Sequence, residues 1–293
     1  MLSGRTTIRG VRVAVVGHVE WIEFVSVEHV PLAGEIVHAH DWWAEPAGGG
    51  AVAAVQLARL ASAANLFTAL GDDALGGRSR AGLEALGVTV HAAPRAEPTR
   101  RGFTFLDATG ERTITTLGER LAPRGADALP WSTLGAADAV YVTAGDAAAL
   151  RTARRARVLV ATPRVGPALA ESGVELDALV HSAHDPGERY APGDLQPEPR
   201  LVVSTAGAAG GTYATAGGRT GIWRAAPAPG PCVDTYGAGD SFAAGLTFGL
   251  GAGLEVDDAL ELAARCGAVC VTGAGPYGAP LDAASIGALP SRS

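Results

Sequence analysis

The chain has 293 residues, and all 23 of its basic side chains are arginine; it contains no lysine. That absence excludes Schiff-base aldolases, pyridoxal-phosphate enzymes and the lysine-dependent P-loop, each of which needs an amine in its site. Thirty acidic residues and a net charge of −7 disfavour nucleic acid as a partner, and 47% hydrophobic with 18% charged residues is the composition of a folded globular chain.

Residues 11–18 (VRVAVVGH) form a short β-branched apolar run, the pattern of a strand buried on both faces. Arg5, Arg9 and Arg12 precede only the short apolar run Val13–Val16, so a signal peptide is not expected. Residues 35–43 (EIVHAHDWW) read as a strand, with His38 and His40 on one face and Trp42 and Trp43 on opposite faces. From Gly48 onward, three glycines open a helix that leads into the strand NLFTALG, a βα unit with a glycine-rich entrance. A second helix (RSRAGLEALG) and the strand VTVHA follow. Residues 101–117 read as a hairpin around the turn Asp107-Ala108-Thr109-Gly110. Helices and strands then alternate again: DAVYVTAG, a helix over 146–155, VLVAT, a helix near 167–172, LDALVHS, LVVSTAG and GTYAT. This order predicts an α/β chain with a mostly parallel sheet.

Cys232, Cys266 and Cys270 are too few for a disulfide framework, and no Cys or His spacing completes a zinc site. Cys266 and Cys270 are expected to be buried in a helix. No stretch of about 18 apolar residues occurs, and a reducing, cytoplasmic setting without membrane contact is expected.

The stretch with the most chemistry is 234–245, Asp-Thr-Tyr-Gly-Ala-Gly-Asp-Ser-Phe-Ala-Ala-Gly. A Gly-Ala-Gly turn before a helix aims unpaired amides and the positive end of the helix dipole at one point, which makes an anion site from backbone alone. Asp240 stands at its mouth, where a carboxylate can take a proton from an attacking hydroxyl; the plainer alternative is that Asp240 caps the helix. The helix that follows is apolar nearly all round, with Gly245 and Gly249 allowing close packing.

DTYGAGDSFAAGL closely resembles the second signature of the ribokinase-like, or phosphofructokinase-B, carbohydrate kinases. GGGAVAAVQLARL resembles the family's first signature, GDDALG at 71–76 the strand end after it, and STAGAAGG at 204–211 its nucleotide loop. The resemblance covers nearly the whole chain. It implies a ribokinase-like three-layer αβα fold, one kinase domain over 1–293, and a small β-sheet lid built from segments near 31–47 and 99–119. Carried over by position, it makes Asp240 the base, and Gly237, Ala238 and Gly239 the anion hole. Thr205, Gly207, Gly210 and Ser182 become ATP contacts, and Asp234 orients the anion hole beside a monovalent-cation site such as K+ with the 273–276 loop. It also implies a homodimer paired through the lid.

The pattern breaks in three places. Where relatives have Asn-x-x-Glu near Mg2+, this chain has Ser182-Ala-His-Asp185, which leaves Asp185 as the magnesium-side carboxylate. Where they have Gly-Gly-Lys-Gly-Ala-Asn, it has Ala47-Gly48-Gly49-Gly50-Ala51-Val52. Glu20-Trp21-Ile22 replaces a hydroxyl-gripping Asn-x-Asp. The substrate side is therefore expected to be Glu20, Gly48, Gly49, Gly50, Arg101 and Arg120, with Arg120 either a fork suited to an anionic acceptor or a lid-surface arginine paired with Glu111 or Glu119. The leading expectation is an ATP-dependent phosphotransferase acting on an alcohol group of a small sugar-like or nucleoside-like molecule. The competing one is a catalytically weak or inactive kinase-fold protein that binds a metabolite. A dinucleotide-dependent oxidoreductase would need Gly-x-Gly-x-x-Gly after the first strand, where GHVEWIE stands instead.

Overall fold

In the computed structural model, which describes residues 10–286, the apolar run near the N-terminus becomes strand β1 (Val13–Val16), buried on both faces. Arg5 and Arg9 lie outside the described residues. β1 pairs in parallel with β4 (Ala64–Gly71) on one side and β8 (Ala139–Val142) on the other. The large sheet continues through β5 (Val88–Arg95) at one end, and through β9 (Val158–Ala161), β10 (Ala178–Ser182) and β11 (Leu201–Thr205) at the other. Beyond β11, β12 (Gly211–Thr215) and β13 (Thr220–Trp223) add antiparallel pairings, so nine strands stand in the order 13-12-11-10-9-8-1-4-5.

The period of two along each strand divides the core into two layers. Val13 and Val15 face α1 (Gly49–Ala61), α5 (Ala238–Gly251) and α6 (Val256–Cys270). Ala14 and Val16 face α3 (Ala147–Ala153) and α4 (Gly166–Ser172) on the other side. α2 (Ala74–Ala85) packs beside β5. A Cβ on Gly245 would lie 2.7 Å from Cys266 Sγ, and one on Gly249 2.9 Å from Ala259 Cβ, so α5 and α6 lie as close as the glycines suggested. Cys266 and Cys270 are buried. This is the expected three-layer αβα architecture. One crossover lacks its helix: residues 183–200, between parallel β10 and β11, hold only a 3-10 turn at Pro186–Glu188. Such connections usually carry a helix. At the sheet's edge, Ile222 on β13 is 80% exposed.

A second sheet has the order β3-β2-β6-β7, with β2 (Glu20–Ser26), β3 (Asp41–Ala47), β6 (Arg101–Leu106) and β7 (Arg112–Leu117). The 101–117 hairpin forms as expected, and Glu20–Ile22 begins β2, a central strand of the small sheet. One reading is corrected. Residues 35–39 are not strand, because pairing to β2 starts only at Asp41 opposite Ser26, after a turn closed by Glu35 N–H to Leu32 O at 3.0 Å. His38 and His40 therefore share no strand face. Ile22, Phe24 and Leu106 turn inward onto Ala47, Val52 and Tyr236. Trp43 stacks on Phe24 with ring centroids 5.0 Å apart, while Trp42 is 70% exposed, so the two tryptophans do face opposite ways.

Candidate active site

The parallel strands all deliver their C-terminal ends to one edge of the large sheet, where ligands bind in open α/β folds. The anion turn lies there. Gly237 is the N-cap of α5 at φ +82°, a left-handed conformation that glycine adopts without strain, and no side chain caps the helix. The capping alternative for Asp240 therefore does not hold. Asp240 sits in the first turn and hydrogen-bonds to none of the described residues, which leaves its carboxylate open, while among the helix-end amides Ala238 N–H is held only by a long 3.4 Å bond to Thr235 O. Burial, and then the charge of Glu188, push its carboxyl up to about 6, against the opposing charges of Arg164 and Arg112. Asp234 is fully buried and accepts from Tyr236 N–H at 2.7 Å and Gly275 N–H at 2.9 Å, tying the turn to the 273–276 loop.

The glycine-rich entrance of α1 faces the same point. A Cβ on Gly49 would stand 2.7 Å from Asp240 Oδ1, and one on Gly50 2.6 Å from the His18 carbonyl oxygen and 2.7 Å from Gly17 C. Gly48 N–H donates to Tyr236 Oη at 3.3 Å. Gly49 N–H donates to His18 Nε2 at 3.3 Å, so the His18 proton belongs on Nδ1, which lies 3.2 Å from Thr143 Oγ1. Burial, with the nearby arginines 120, 100 and 164, holds His18 well below the usual histidine range, and it is neutral. Glu20 is buried 3.1 Å from Arg100 Nη1. Burial raises its carboxyl, and Arg100 and Arg120 oppose that.

Arg101 does not join this group. It pairs with Glu23 on the opposite face of the small sheet, because strand neighbours alternate sides. Arg100, one residue earlier, is the arginine that reaches Glu20, and its Nε is buried with no hydrogen-bond partner. Arg120 is exposed at the mouth, with no ion pair or hydrogen bond among the described residues, and its charge acts on His18 and Glu20.

Ser182 and Thr205 stand in register at the ends of β10 and β11. Thr205 Oγ1 donates to His181 O at 3.3 Å, and the loop turns through Gly207 and Gly210, both at positive φ. Ser182 Oγ accepts from the backbone N–H of His184 and Asp185, each at 3.2 Å. Asp185 accepts from Gly187 N–H at 2.8 Å and pairs with Arg164. The carboxylates whose charges reach Asp240 are instead Glu188 and, more weakly, Glu20. Glu188 pairs with Arg164 Nε at 2.7 Å and accepts from Ser182 N–H at 2.8 Å. Arg100, Arg112, Arg164 and Glu188 were not singled out from the sequence. Only the Asp185-x-x-Glu188 spacing, three residues beyond the position read as the metal site, carried a signal for Glu188.

Among the described residues, no group of three or more His, Cys, Asp or Glu side chains is arranged to hold a metal ion, and no helix is long and apolar enough to cross a membrane.

Comparison with known proteins agrees with this architecture. The model of the pfkB family carbohydrate kinases matches residues 11–164 and 173–283. An ATP-dependent ribose-1-phosphate kinase of Halopiger xanaduensis is 29% identical, over 96% of this chain and 99% of the relative. A ribokinase structure from Thermotoga maritima superposes with a TM-score of 0.75 at 20% identity, covering 94% of this chain and 98% of that one. Arabidopsis thaliana ribokinase, complexed with ribose and ATP, gives 0.72 at 21% identity over 94% and 97%. The chain belongs to the pfkB family of carbohydrate kinases, and the enzyme is an ATP-dependent carbohydrate kinase.

Proposed function

We propose that the enzyme transfers the γ-phosphoryl group of ATP to a hydroxyl of a ribose-like acceptor that itself carries an anionic group. The observation that carries the reading is Asp240, a carboxylate without a hydrogen-bond partner among the described residues, poised near 6 at a helix N-terminus that no side chain caps. Asp240 takes the proton of the acceptor hydroxyl as its oxygen forms a bond to the γ-phosphorus, and the bond to the ADP oxygen breaks in line. The amides of Gly237, Ala238 and Gly239 hold the charge of the group in flight. A positioned base contributes about 10²–10⁴ in rate, and one oxyanion-type donor about 10²–10³.

An anionic acceptor is supported by Arg120, which has no partner among the described residues, and by the unpaired Nε of Arg100. The ribose-1-phosphate kinase similarity points the same way. On the nucleotide side, Ser182, Thr205, Gly207 and Gly210 line the loops that receive ATP. Mg2+ fits only through its waters: Asp185 and Glu188 already pair with Arg164, but Mg2+ keeps several waters and takes few protein ligands. When bound it would neutralise phosphate charge, with these two carboxylates holding its water shell. At Asp234 each carboxylate oxygen already accepts one backbone amide, which ties the carboxylate to the 235–236 and 273–276 backbone.

The test is an ATP-consumption screen over sugars, sugar phosphates and nucleosides. Asp240→Asn is expected to lose turnover by at least about 10², and unchanged turnover refutes the mechanism. An enzyme that binds acceptors without turning any over is a metabolite-binding protein instead. Arg120→Ala should raise KM for a phosphorylated acceptor about tenfold more than for its neutral counterpart. Equal losses on both would remove the anionic acceptor from the reading.

A further inference from the structure

The hairpin of the small sheet is fastened to the loop that leads into the anion turn. At its tip, the Asp107 carboxylate accepts from Thr109 N–H at 2.8 Å and Glu111 N–H at 3.2 Å, which stiffens the turn. Gly110 follows at φ +81°, and a Cβ there would lie 3.2 Å from the Val233 carbonyl oxygen. The Gly110 carbonyl accepts from Thr235 N–H at 3.2 Å and from Thr235 Oγ1 at 3.4 Å.

Two residues further on, Arg112 Nη1 donates to the Thr235 carbonyl at 2.9 Å and to Thr235 Oγ1 at 3.1 Å. Its guanidinium stands over the Tyr236 ring, 6.0 Å from the centroid. The same Thr235 carbonyl faces Ala238 N–H at a long 3.4 Å. Two donors thus meet at one oxygen, and the charged one holds the shorter, stronger bond. The weakly held Ala238 amide is one of the three that the proposed mechanism aims at the transferring phosphoryl group.

We propose that Arg112 is a positioning residue for phosphoryl transfer: by taking the shorter bond to the Thr235 carbonyl, it weakens the competing bond from Ala238 N–H and eases the turn of that amide to the group in flight. The inference rests on the reading of residues 237–239 as the anion hole. It joins seating of the sheet over the acceptor to completion of that hole, and it acts on the transition state more than on ground-state binding.

Steady-state kinetics test it, with ATP and whichever of ribose 1-phosphate or ribose the parent enzyme turns over, and with thermal melting recorded for each variant. Arg112→Met removes the donor and should lower kcat at least tenfold, with KM for ATP and acceptor within about threefold. Arg112→Gln, a neutral side chain that can still donate to the Thr235 carbonyl, should recover most of that loss. Calorimetry gives a second measure: Arg112→Met should weaken binding of ADP with aluminium fluoride at least tenfold relative to ADP alone. Unchanged kcat in Arg112→Met, a loss confined to acceptor KM, or Arg112→Gln no better than Arg112→Met would overturn the proposal. Asp240→Asn run in parallel separates the two readings. If it is inactive while Arg112→Met is fully active, only the Arg112 proposal fails; if it stays active, the mechanism beneath both fails.

Discussion

Burial and the facing charge of Glu188 push the Asp240 carboxyl up to about 6, and two pH dependences follow at this one residue. As a base it must be deprotonated, so kcat/KM should be flat above about pH 7 and fall about tenfold per unit well below 6. A rate independent of pH between 5 and 7 would remove Asp240 as the base. Stability runs the other way. Because the folded value lies above the unfolded one, the native state binds the extra proton, and its contribution is present below the unfolded value and lost as pH rises through about 6. Asp240→Asn should therefore melt higher than the parent at pH 8, with the gap narrowing below about pH 6 and closing only below the unfolded value, near pH 4. The side chain is only partly covered, so solvent screens the effect to about 1 kcal/mol, or about 2 °C. Gain of stability with loss of activity marks a group placed for chemistry rather than for folding. The 234–240 motif was legible because a glycine turn before a helix is local backbone chemistry. Glu188 was not, since its approach to Asp240 depends on the path of the helix-free 183–200 crossover.

At the scale of the element, the entrance of α1 separates two uses of glycine. Gly50 lies against the backbone of Gly17 and the carbonyl of His18, atoms that cannot move without shifting β1. Gly50→Ala should cost about 2–3 kcal/mol in urea unfolding. Gly49 lies instead against the Asp240 carboxylate, a side chain that can swing away. Gly49→Ala should keep stability within about 1 kcal/mol and lose kcat at least tenfold, because displacement of the base spoils its geometry. Equal stability losses in the two variants would contradict this assignment. The contact also gives a physical reason why restoring a lysine at 49 would not repair the site: Asp240 takes the space its Cβ needs. The glycine run was visible in the sequence, whereas the partner of each glycine was not.

Across the whole molecule, the inward face of the small sheet closes over Tyr236 and the anion turn, and its outer side carries exposed Trp42 and Leu117. We propose that two copies pair through these residues, since such apolar exposure marks an interaction surface. Trp42→Glu should shift the sedimentation coefficient from dimer to monomer, and a parent that is already monomeric at micromolar concentration would overturn the pairing. While the three layers were implied by the family resemblance, the sequence by itself determined an α/β chain with a mostly parallel sheet, the hairpin, the anion turn and the close, buried packing of α5. Those follow from periodicity, β-branched runs and glycine placement, which act over a few residues. Only the tertiary structure decided which charges meet. Arg100 reaches Glu20 and Arg101 does not, because a strand turns neighbouring side chains to opposite faces and the identity of the inner face depends on where the sheet docks. Arg112 and Arg164 come to Asp240 from elements far apart in the chain, and no local pattern encodes that meeting. The missing lysine, read first as a list of excluded chemistries, is accommodated by backbone amides and by arginines whose positions only the fold sets.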